Sequence, residues 1–381
     1  MPRALGLYIH IPFCRKKCNY CDFYSLPRPC DDNLSEYVSA LCSQLDAEAS
    51  LYKDCIIDTI FLGGGTPSLL CADDIKRLFG AIRKALPVAE NAEISIEANP
   101  DTITRERAMA WRECGINRLS IGLQSAIDSE LSALGRIHTL DDFERSYLLA
   151  RECGFDNINI DIMYALPSQK LSMLEETLDY VVKLAPEHIS AYCLKIEGNT
   201  PFAKMIDSLT LPSEDEQYEM YLSLCSRLTK AGYEQYEISN FARAGKRCLH
   251  NMKYWLCEEY IGLGPSAHSF FDGCRYFYED SITKYISTIK GGAMPSRVLE
   301  ESVELTKEQM LDEYVMLHMR LCDGVNDDEL IARFGISFEE YYDTDKYIKD
   351  GYIIKKGRNY SFSTKGFFVS NYILSDILKS I

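Results

Sequence analysis

Six short runs rich in β-branched and other apolar residues alternate with helix-like segments in the first two-thirds of the chain. The runs cover residues 5–11, 59–62, 93–98, 118–121, 157–162 and 188–193. Strands that alternate with helices are typical of βαβ units, in which neighbouring strands lie parallel. The sequence therefore predicts an α/β fold built on a parallel sheet.

Three cysteines, Cys14, Cys18 and Cys21, stand in one short loop directly after the first predicted strand. Thiolates are the usual protein ligands of iron–sulfur clusters, and a short loop can direct three of them at one [4Fe–4S] cluster. Three ligands leave one iron open to a small molecule. The competing interpretations are a chance grouping and a zinc site. Zinc normally takes a fourth ligand, and residues 22–24 supply neither Cys nor His.

Composition narrows the class of protein. A length of 381 residues favours two domains, and no run approaches the ~20 apolar residues of a membrane-spanning helix. Fifteen cysteines without a recognisable signal peptide favour a reducing cytoplasm over a disulfide framework. The net charge of −16 disfavours nonspecific binding to nucleic acid or to anionic lipid. We therefore expect a cytoplasmic protein with no nucleic-acid partner.

Polar or glycine residues follow successive predicted strands. The glycine run 63–65 and Thr66 follow the second strand, Glu97 lies near the end of the third, Gln124 follows the fourth, and Asp161 ends the fifth. In parallel α/β barrels ligands bind at this end of the strands. A triple glycine alone is more often a turn, but here it would also let the backbone approach a ligand closely. The pattern predicts a single site.

Four motifs carry a family resemblance: residues 8–14 (YIHIPFC), 63–67 (GGGTP), 118–125 (RLSIGLQS) and 159–161 (NID). Together they resemble the radical S-adenosylmethionine (SAM) proteins related to oxygen-independent coproporphyrinogen III oxidase. The resemblance implies a partial, six-stranded (β/α)6 barrel with a [4Fe–4S] cluster on the three loop cysteines. The positions that match SAM contacts are Tyr8, Tyr20, Gly64, Gly65, Thr66, Glu97, Gln124, Arg136 and Asp161. From spacing alone, Arg136 is equally well interpreted as a solvated arginine at a helix end.

The residue two places after the third cysteine separates two branches of this family. The oxidases carry a further cysteine there, whereas this chain has Phe23. The form Cys-Asn-Tyr-Cys-Asp-Phe resembles the HemW-type haem chaperones instead. The oxidases also have a longer segment before the position of Tyr8. The resemblance is therefore stronger to the chaperone branch.

A second motif supports the same branch. His250, Asn251, Tyr254 and Trp255 match the His-Asn-x-x-Tyr-Trp motif of HemW-type proteins, where the resemblance implies haem binding. An imidazole can ligate haem iron, and flat rings can cover a porphyrin face. On the residues alone, a histidine beside Tyr and Trp is more often an ordinary packed cluster. Cys248 is an alternative thiolate ligand, although a reduced bystander is the simpler interpretation.

The last part of the chain predicts a small, α-rich, winged-helix-like domain. Helical patterns cover 307–320, 327–334, 338–349 and 365–379, and a hairpin covers 351–355 and 359–362. The third helix carries Glu339, Glu340, Asp343 and Asp345, which would repel the phosphates of DNA. We expect a structural or partner-docking role. The expected division is a radical SAM barrel over 1–240, a haem-motif connecting segment over 241–300 and this domain over 301–381.

The sequence thus predicts a haem chaperone that binds haem, transfers it to client haemoproteins such as respiratory enzymes, and carries a [4Fe–4S] cluster and SAM. The resemblance is compatible with a monomer or a cluster-dependent homodimer. The alternative is an enzyme, oxygen-independent coproporphyrinogen III oxidase, which uses radical SAM chemistry to decarboxylate porphyrinogen propionates oxidatively. A DNA-binding redox regulator is a third and weaker hypothesis.

Overall fold

Six parallel strands, adjacent in chain order, form the centre of the largest sheet. The computed structural model describes residues 2–27, 31–293, 297–299 and 306–379. All six predicted strands are present, and β1, β2 and β3 begin earlier than the sequence indicates. Their bounds are β1 (Arg3–Ile11), β2 (Cys55–Gly64), β3 (Val88–Ala98), β4 (Arg118–Gln124), β5 (Ile158–Tyr164) and β6 (His188–Cys193). The predicted α/β fold with a partial six-stranded barrel is confirmed.

Alternation along each strand divides the barrel into an outer apolar side and an inner polar side. On β1, Leu5, Leu7 and Ile9 are fully buried, whereas Tyr8 is only partly buried. The apolar side is covered by helices, as the alternation of strands and helices requires. The helices are α1 (Asp31–Glu48), α2 (Ala72–Ala85), α3 (Arg105–Glu113), α4 (Asp128–Ala133), α5 (Leu140–Glu152) and α6 (Leu171–Leu184).

The last third of the chain extends the sheet at both edges. The helices of this part are α7 (Pro201–Lys204), α8 (Glu214–Lys230), α9 (Leu249–Trp255) and α10 (Ile282–Lys290). Its strands are β7 (Glu234–Gln235), β8 (Asn240–Ala242), β9 (Tyr260–Leu263), β10 (His268–Phe271), β11 (Cys274–Tyr278) and β12 (Arg297–Leu299). Strand β8 pairs antiparallel with β6, and β9 pairs parallel with β1. Helix α9 lies against β2, where His250 bonds to Thr59 and Lys253 pairs with Asp58.

A three-stranded sheet and short helices form the C-terminal part, in agreement with the winged-helix-like prediction. The elements are α11 (Lys307–His318), β13 (Val325–Asn326), α12 (Asp327–Phe334), α13 (Phe338–Tyr341), α14 (Asp345–Lys349), β14 (Ile353–Lys356), β15 (Asn359–Phe362), α15 (Thr364–Phe368) and α16 (Ser370–Ile377). The predicted helix over 338–349 is wrong in one respect. Extended backbone at Tyr342, whose hydroxyl donates to buried Asp312, divides it in two.

Two further sequence predictions concern the domain boundary and membrane-spanning helices. The predicted domain boundary at residue 300 lies outside the described residues. Within the described ranges, no helix is both long and apolar enough to cross a lipid bilayer.

Candidate functional site

The three cysteines of the loop after β1 lie close enough to one another for their charges to affect each other's pKa. Cys14 is almost fully buried, Cys18 and Cys21 are partly buried, and all three are free thiols. The pKa of Cys14 and that of Cys21 are raised, mainly by burial and further by the neighbouring cysteines of the loop. The backbone N–H of Asn19 donates to the Leu134 carbonyl at 2.9 Å, so the loop is fixed to the end of α4.

Hydrogen-bond donors from two other segments of the chain reach two of the cysteine sulfurs. Thr66 Oγ1 donates to Cys14 Sγ at 3.5 Å, and Arg136 Nη1 donates to Cys18 Sγ at 3.6 Å. Hydrogen bonds to sulfur are among the contacts that set the properties of protein-bound iron–sulfur clusters. Three neighbouring thiols with such donors fit the ligand set of a [4Fe–4S] cluster.

Asn99 joins these two donors and was missed as a site residue by the sequence analysis. Its Nδ2 donates to Thr66 Oγ1 at 3.0 Å, and its Oδ1 accepts from Arg136 Nη2 at 2.8 Å. The Arg136 guanidinium also donates to the Gly122 carbonyl at 2.8 Å. Arg136 is therefore held inside the site and is not a free arginine in solvent. The only signal for Asn99 in the sequence is its place directly after a barrel strand.

Two glycines let the end of β2 approach the cysteine loop. Gly64 has a φ of +107°, and a Cβ there would lie 2.4 Å from the His10 ring. A Cβ on Gly65 would lie 2.7 Å from backbone atoms of Phe13. Contacts this short exclude any side chain, so both positions require glycine. The N–H of Gly64 is then free to donate to Glu97 Oε2 at 3.1 Å.

Two carboxyl groups, Glu97 on β3 and Asp161 on β5, lie close enough for the charge of one to affect the pKa of the other. Burial, and then the charge of Asp161, raises the pKa of Glu97 to about 8. Burial also raises the pKa of Asp161, although Asn159 Nδ2 donates to it at 2.8 Å and Ser120 Oγ at 3.1 Å. A cationic ligand group between the two would stabilise both in the charged form. The ammonium or sulfonium group of SAM has this chemistry.

The other predicted SAM contacts lie around the same part of the barrel. Tyr20 lies close enough to Arg136 and Cys18 for their charges to affect its pKa, which burial raises. Gln124 has a φ of +70°, and its amide lies over Gly122 beside Arg136. Tyr8 is one layer deeper, where its hydroxyl shares a 2.9 Å hydrogen bond with His10 Nδ1. The structure therefore places these residues in one region.

The haem-motif histidine lies inside the barrel, on the side away from the cysteine loop. His250 is fully buried, and its ring stacks on Phe61 with centroids 5.4 Å apart. Its Nδ1 shares a 2.9 Å hydrogen bond with Thr59 Oγ1, and its Nε2 shares one of 2.8 Å with Tyr254 Oη. Burial, and then the charge of Lys253, lowers the pKa of His250 to about 3. The imidazole is neutral, and both nitrogens are engaged.

The rest of the motif is only partly buried. Asn251, Tyr254 and Trp255 all keep some exposure on α9. Cys248, just before the helix, is fully buried, and burial raises its pKa to about 12. It stays a protonated thiol that donates to Glu93 Oε1 at 3.6 Å. The structure does not bring the four motif side chains onto one exposed face.

Helix α9 is fixed to the barrel by a buried ammonium group. Lys253 Nζ lies 2.8 Å from Asp58 Oδ2 and 3.1 Å from Glu258 Oε2, and its side chain is only 3% exposed. Gly6 makes room for it, since a Cβ there would lie 2.9 Å from Lys253 Cδ. Lys253 and His250 therefore both hold α9 against β2.

Comparisons with known proteins cover nearly the whole chain. The Radical SAM superfamily profile matches residues 8–181, and the HemN C-terminal domain profile matches residues 305–369. Similar curated proteins include "Heme chaperone HemW" from Bacillus subtilis, which is 36% identical over 87% of this chain and 87% of its own. Those of Haemophilus influenzae and Escherichia coli are each 35% identical, over 98% and 97% of both chains respectively.

A solved structure has the same fold. The coproporphyrinogen III oxidase HemN from Escherichia coli, described as a radical SAM enzyme, superimposes with a TM-score of 0.87. The match covers 100% of this chain and 91% of that chain at 24% sequence identity. Similarity at this identity establishes the shared fold and leaves the activity open.

Proposed function

Because this chain belongs to the HemW family of radical SAM proteins, we propose that it is a haem chaperone, which binds haem and transfers it to client haemoproteins. Similarity to proteins named heme chaperones runs through almost the full chain. The observation that carries the proposal is the complete His-Asn-x-x-Tyr-Trp motif, which lies on α9 at the barrel end away from the cysteine loop.

Membership of the family implies a [4Fe–4S] cluster and SAM. In our proposal Cys14, Cys18 and Cys21 hold the cluster, which when bound supplies an iron with an open position for the amino and carboxylate groups of SAM. Glu97 and Asp161 bind the cationic part of SAM. Gly64, Gly65 and Thr66 approach it through the backbone, and Tyr8, Tyr20, Gln124 and Arg136 complete the contacts.

Haem ligation by His250 requires a movement of α9. In the arrangement described above, which we call the closed position, both ring nitrogens are engaged and the side chain is fully buried. The helix must open before either nitrogen can reach iron. The neutral imidazole is already the form that ligates metal. In our proposal Asn251, Tyr254 and Trp255, the partly exposed residues of the motif, would contact the bound haem.

We further propose a cytoplasmic protein with respiratory haemoproteins among its clients, acting as a monomer or as a cluster-dependent homodimer. The proposed division is the barrel over 1–240, the haem-motif segment over 241–300 and the docking domain over 301–381. Glu339, Glu340 and Asp345 on α13 and α14 support docking of a protein over binding of nucleic acid.

The oxidase alternative has weaker support. It rests on the shared fold with HemN, at 24% identity, whereas the curated relatives at 35–36% identity are named heme chaperones. Phe23, which is 70% exposed, also stands where the oxidases resembled here have a cysteine.

The test is a haem titration of the anaerobically reconstituted protein, followed by Soret absorbance. We expect saturation near one haem per chain and a strong loss of affinity in His250→Ala. His138→Ala is the matched control, because it removes another buried histidine, which bonds to the Leu123 carbonyl at the carboxyl end of β4 and not to the haem motif. Equal binding by wild type and His250→Ala, or no saturable binding, would contradict the proposal.

A further inference from the structure

One aromatic side chain lies between the proposed SAM site and the proposed haem ligand. Phe61 stacks on Tyr8, with centroids 6.4 Å apart and planes at 23°, and on His250, at 5.4 Å and 25°. Tyr8 and Phe61 are directly paired neighbours on β1 and β2. Gly63 leaves room for both rings, since a Cβ there would lie 3.0 Å from Phe61 and 3.1 Å from Tyr8. The three rings form a continuous stack through the barrel.

A hydrogen-bonded chain makes a second connection between the same two regions. Asn159 donates to Asp161 at 2.8 Å and accepts from His188 Nδ1 at 2.6 Å. His188 Nε2 bonds to the Tyr236 hydroxyl at 2.8 Å, and that hydroxyl accepts the backbone N–H of Cys248 at 3.3 Å. Cys248 is the residue immediately before α9. A carboxylate of the proposed SAM site is thus linked to the start of the haem-motif helix.

We propose that Phe61 is a positioning residue that couples the two sites, so that SAM bound beside Tyr8 holds α9 closed and weakens haem binding. The inference rests on the proposed function and specifies its regulation. When α9 opens, His250 leaves a gap against Phe61. Tightly packed interiors tolerate such gaps poorly, so the rings of Phe61 and Tyr8 must shift to fill it.

A ligand packed on Tyr8 restricts that shift, and opening is then less favourable with SAM bound than without it. A ligand changes an equilibrium only through a difference in its interaction with the two states, and restricted repacking of this stack supplies that difference. Coupling of this kind is reciprocal. Haem therefore weakens SAM binding by the same factor.

The experiment measures the haem Kd of cluster-reconstituted protein with and without saturating SAM, under anaerobic conditions without reductant, so that SAM stays intact. We expect SAM to weaken haem binding by about fivefold or more, at the lower end of typical allosteric coupling. In Phe61→Leu the ratio of the two Kd values falls to within about twofold of unity. Phe79→Leu, at a fully packed phenylalanine on α2, keeps the wild-type ratio and controls for a loosened core.

The outcomes separate this inference from the proposed function. Saturable haem binding that SAM leaves unchanged or tightens overturns the coupling and leaves the chaperone assignment standing. Absence of saturable haem binding overturns both. A full SAM effect in Phe61→Leu removes Phe61 from the coupling. The wild-type comparison decides whether SAM and haem binding are coupled, even if Phe61→Leu does not fold. Equilibrium dialysis of SAM with and without haem gives the reciprocal check.

Discussion

The Thr59 hydroxyl bonds to His250 only when α9 is in the closed position. Replacing Thr59 with valine should therefore destabilise the closed position relative to the open one. The Thr59 Oγ1–His250 Nδ1 distance is 2.9 Å, and the two residues are 2% and 0% exposed. Valine keeps nearly the same shape but leaves the imidazole nitrogen without a partner. Loss of a buried hydrogen bond of this kind costs about 1–2 kcal/mol.

The free energy needed to open α9 falls by the same amount. If haem binds only the open form, its apparent affinity is reduced by the fraction of molecules that are open. If opening α9 requires about 1–2 kcal/mol less free energy, the apparent haem Kd falls by roughly 5- to 30-fold. Thr59→Val should lower the free energy of unfolding and raise haem affinity together. A variant that is merely damaged would lose both.

The assay combines urea unfolding with a Soret titration of the same preparation. Thr177→Val, on helix α6, is the matched control. Thr177 is likewise buried, at 1% exposed, and its hydroxyl accepts the backbone N–H of Ala126 at 3.1 Å. The control should lose stability without a change in haem affinity. If Thr59→Val is less stable but binds haem as the wild type does, or more weakly, the closed position is not what limits haem binding.

Two further predictions concern the proposed SAM site. Asn99→Leu breaks the link between Arg136 and Thr66. The iron and sulfide bound per chain after reconstitution should therefore fall at least ~2-fold. Unchanged iron loading and an unchanged reduction potential would contradict the role of Asn99 in supporting the cluster. The pKa of Glu97 is raised from 4.5 to about 8 in the native state. Between these two pH values the native state keeps a proton that the unfolded state has lost, so the free energy of unfolding falls as the pH rises. Without SAM, Glu97→Gln should remove that loss. The free energy of unfolding of the variant minus that of the wild type should be larger at pH 8 than at pH 5 by about 2–4 kcal/mol. Urea unfolding that gives parallel pH profiles for the two proteins would refute this.

Much of the barrel could be predicted because its strands are short β-branched runs between clear helical patterns. The strands of the last third could not. Strand β9 (Tyr260–Leu263) is four residues long, contains a glycine and is stabilised by pairing with β1, more than 240 residues earlier in the chain. Local pattern carries no information about such a partner. The same holds for Asn99, whose role depends on an arginine and a threonine from two other segments.

The haem motif shows a different limit. The sequence singles out its residues without assigning them to a helix, and the structure places residues 249–255 on α9. Spacing does not indicate which side of that helix faces the barrel. The burial of His250 follows from Thr59 and Phe61, about 190 residues away in sequence. The sequence therefore predicts the residues of this candidate site, whereas their closed position is visible only in the fold.

Transfer of haem tests the central claim most directly. The haem-loaded protein is mixed with the apo form of a b-type haemoprotein in the presence of excess serum albumin, which captures released haem, and the client's Soret spectrum is followed. The chaperone account predicts that the wild-type protein loads the client despite albumin, and that His250→Ala does not. Loading no better than from free haem, together with 5′-deoxyadenosine release and decarboxylation of coproporphyrinogen III, would contradict it and establish the oxidase.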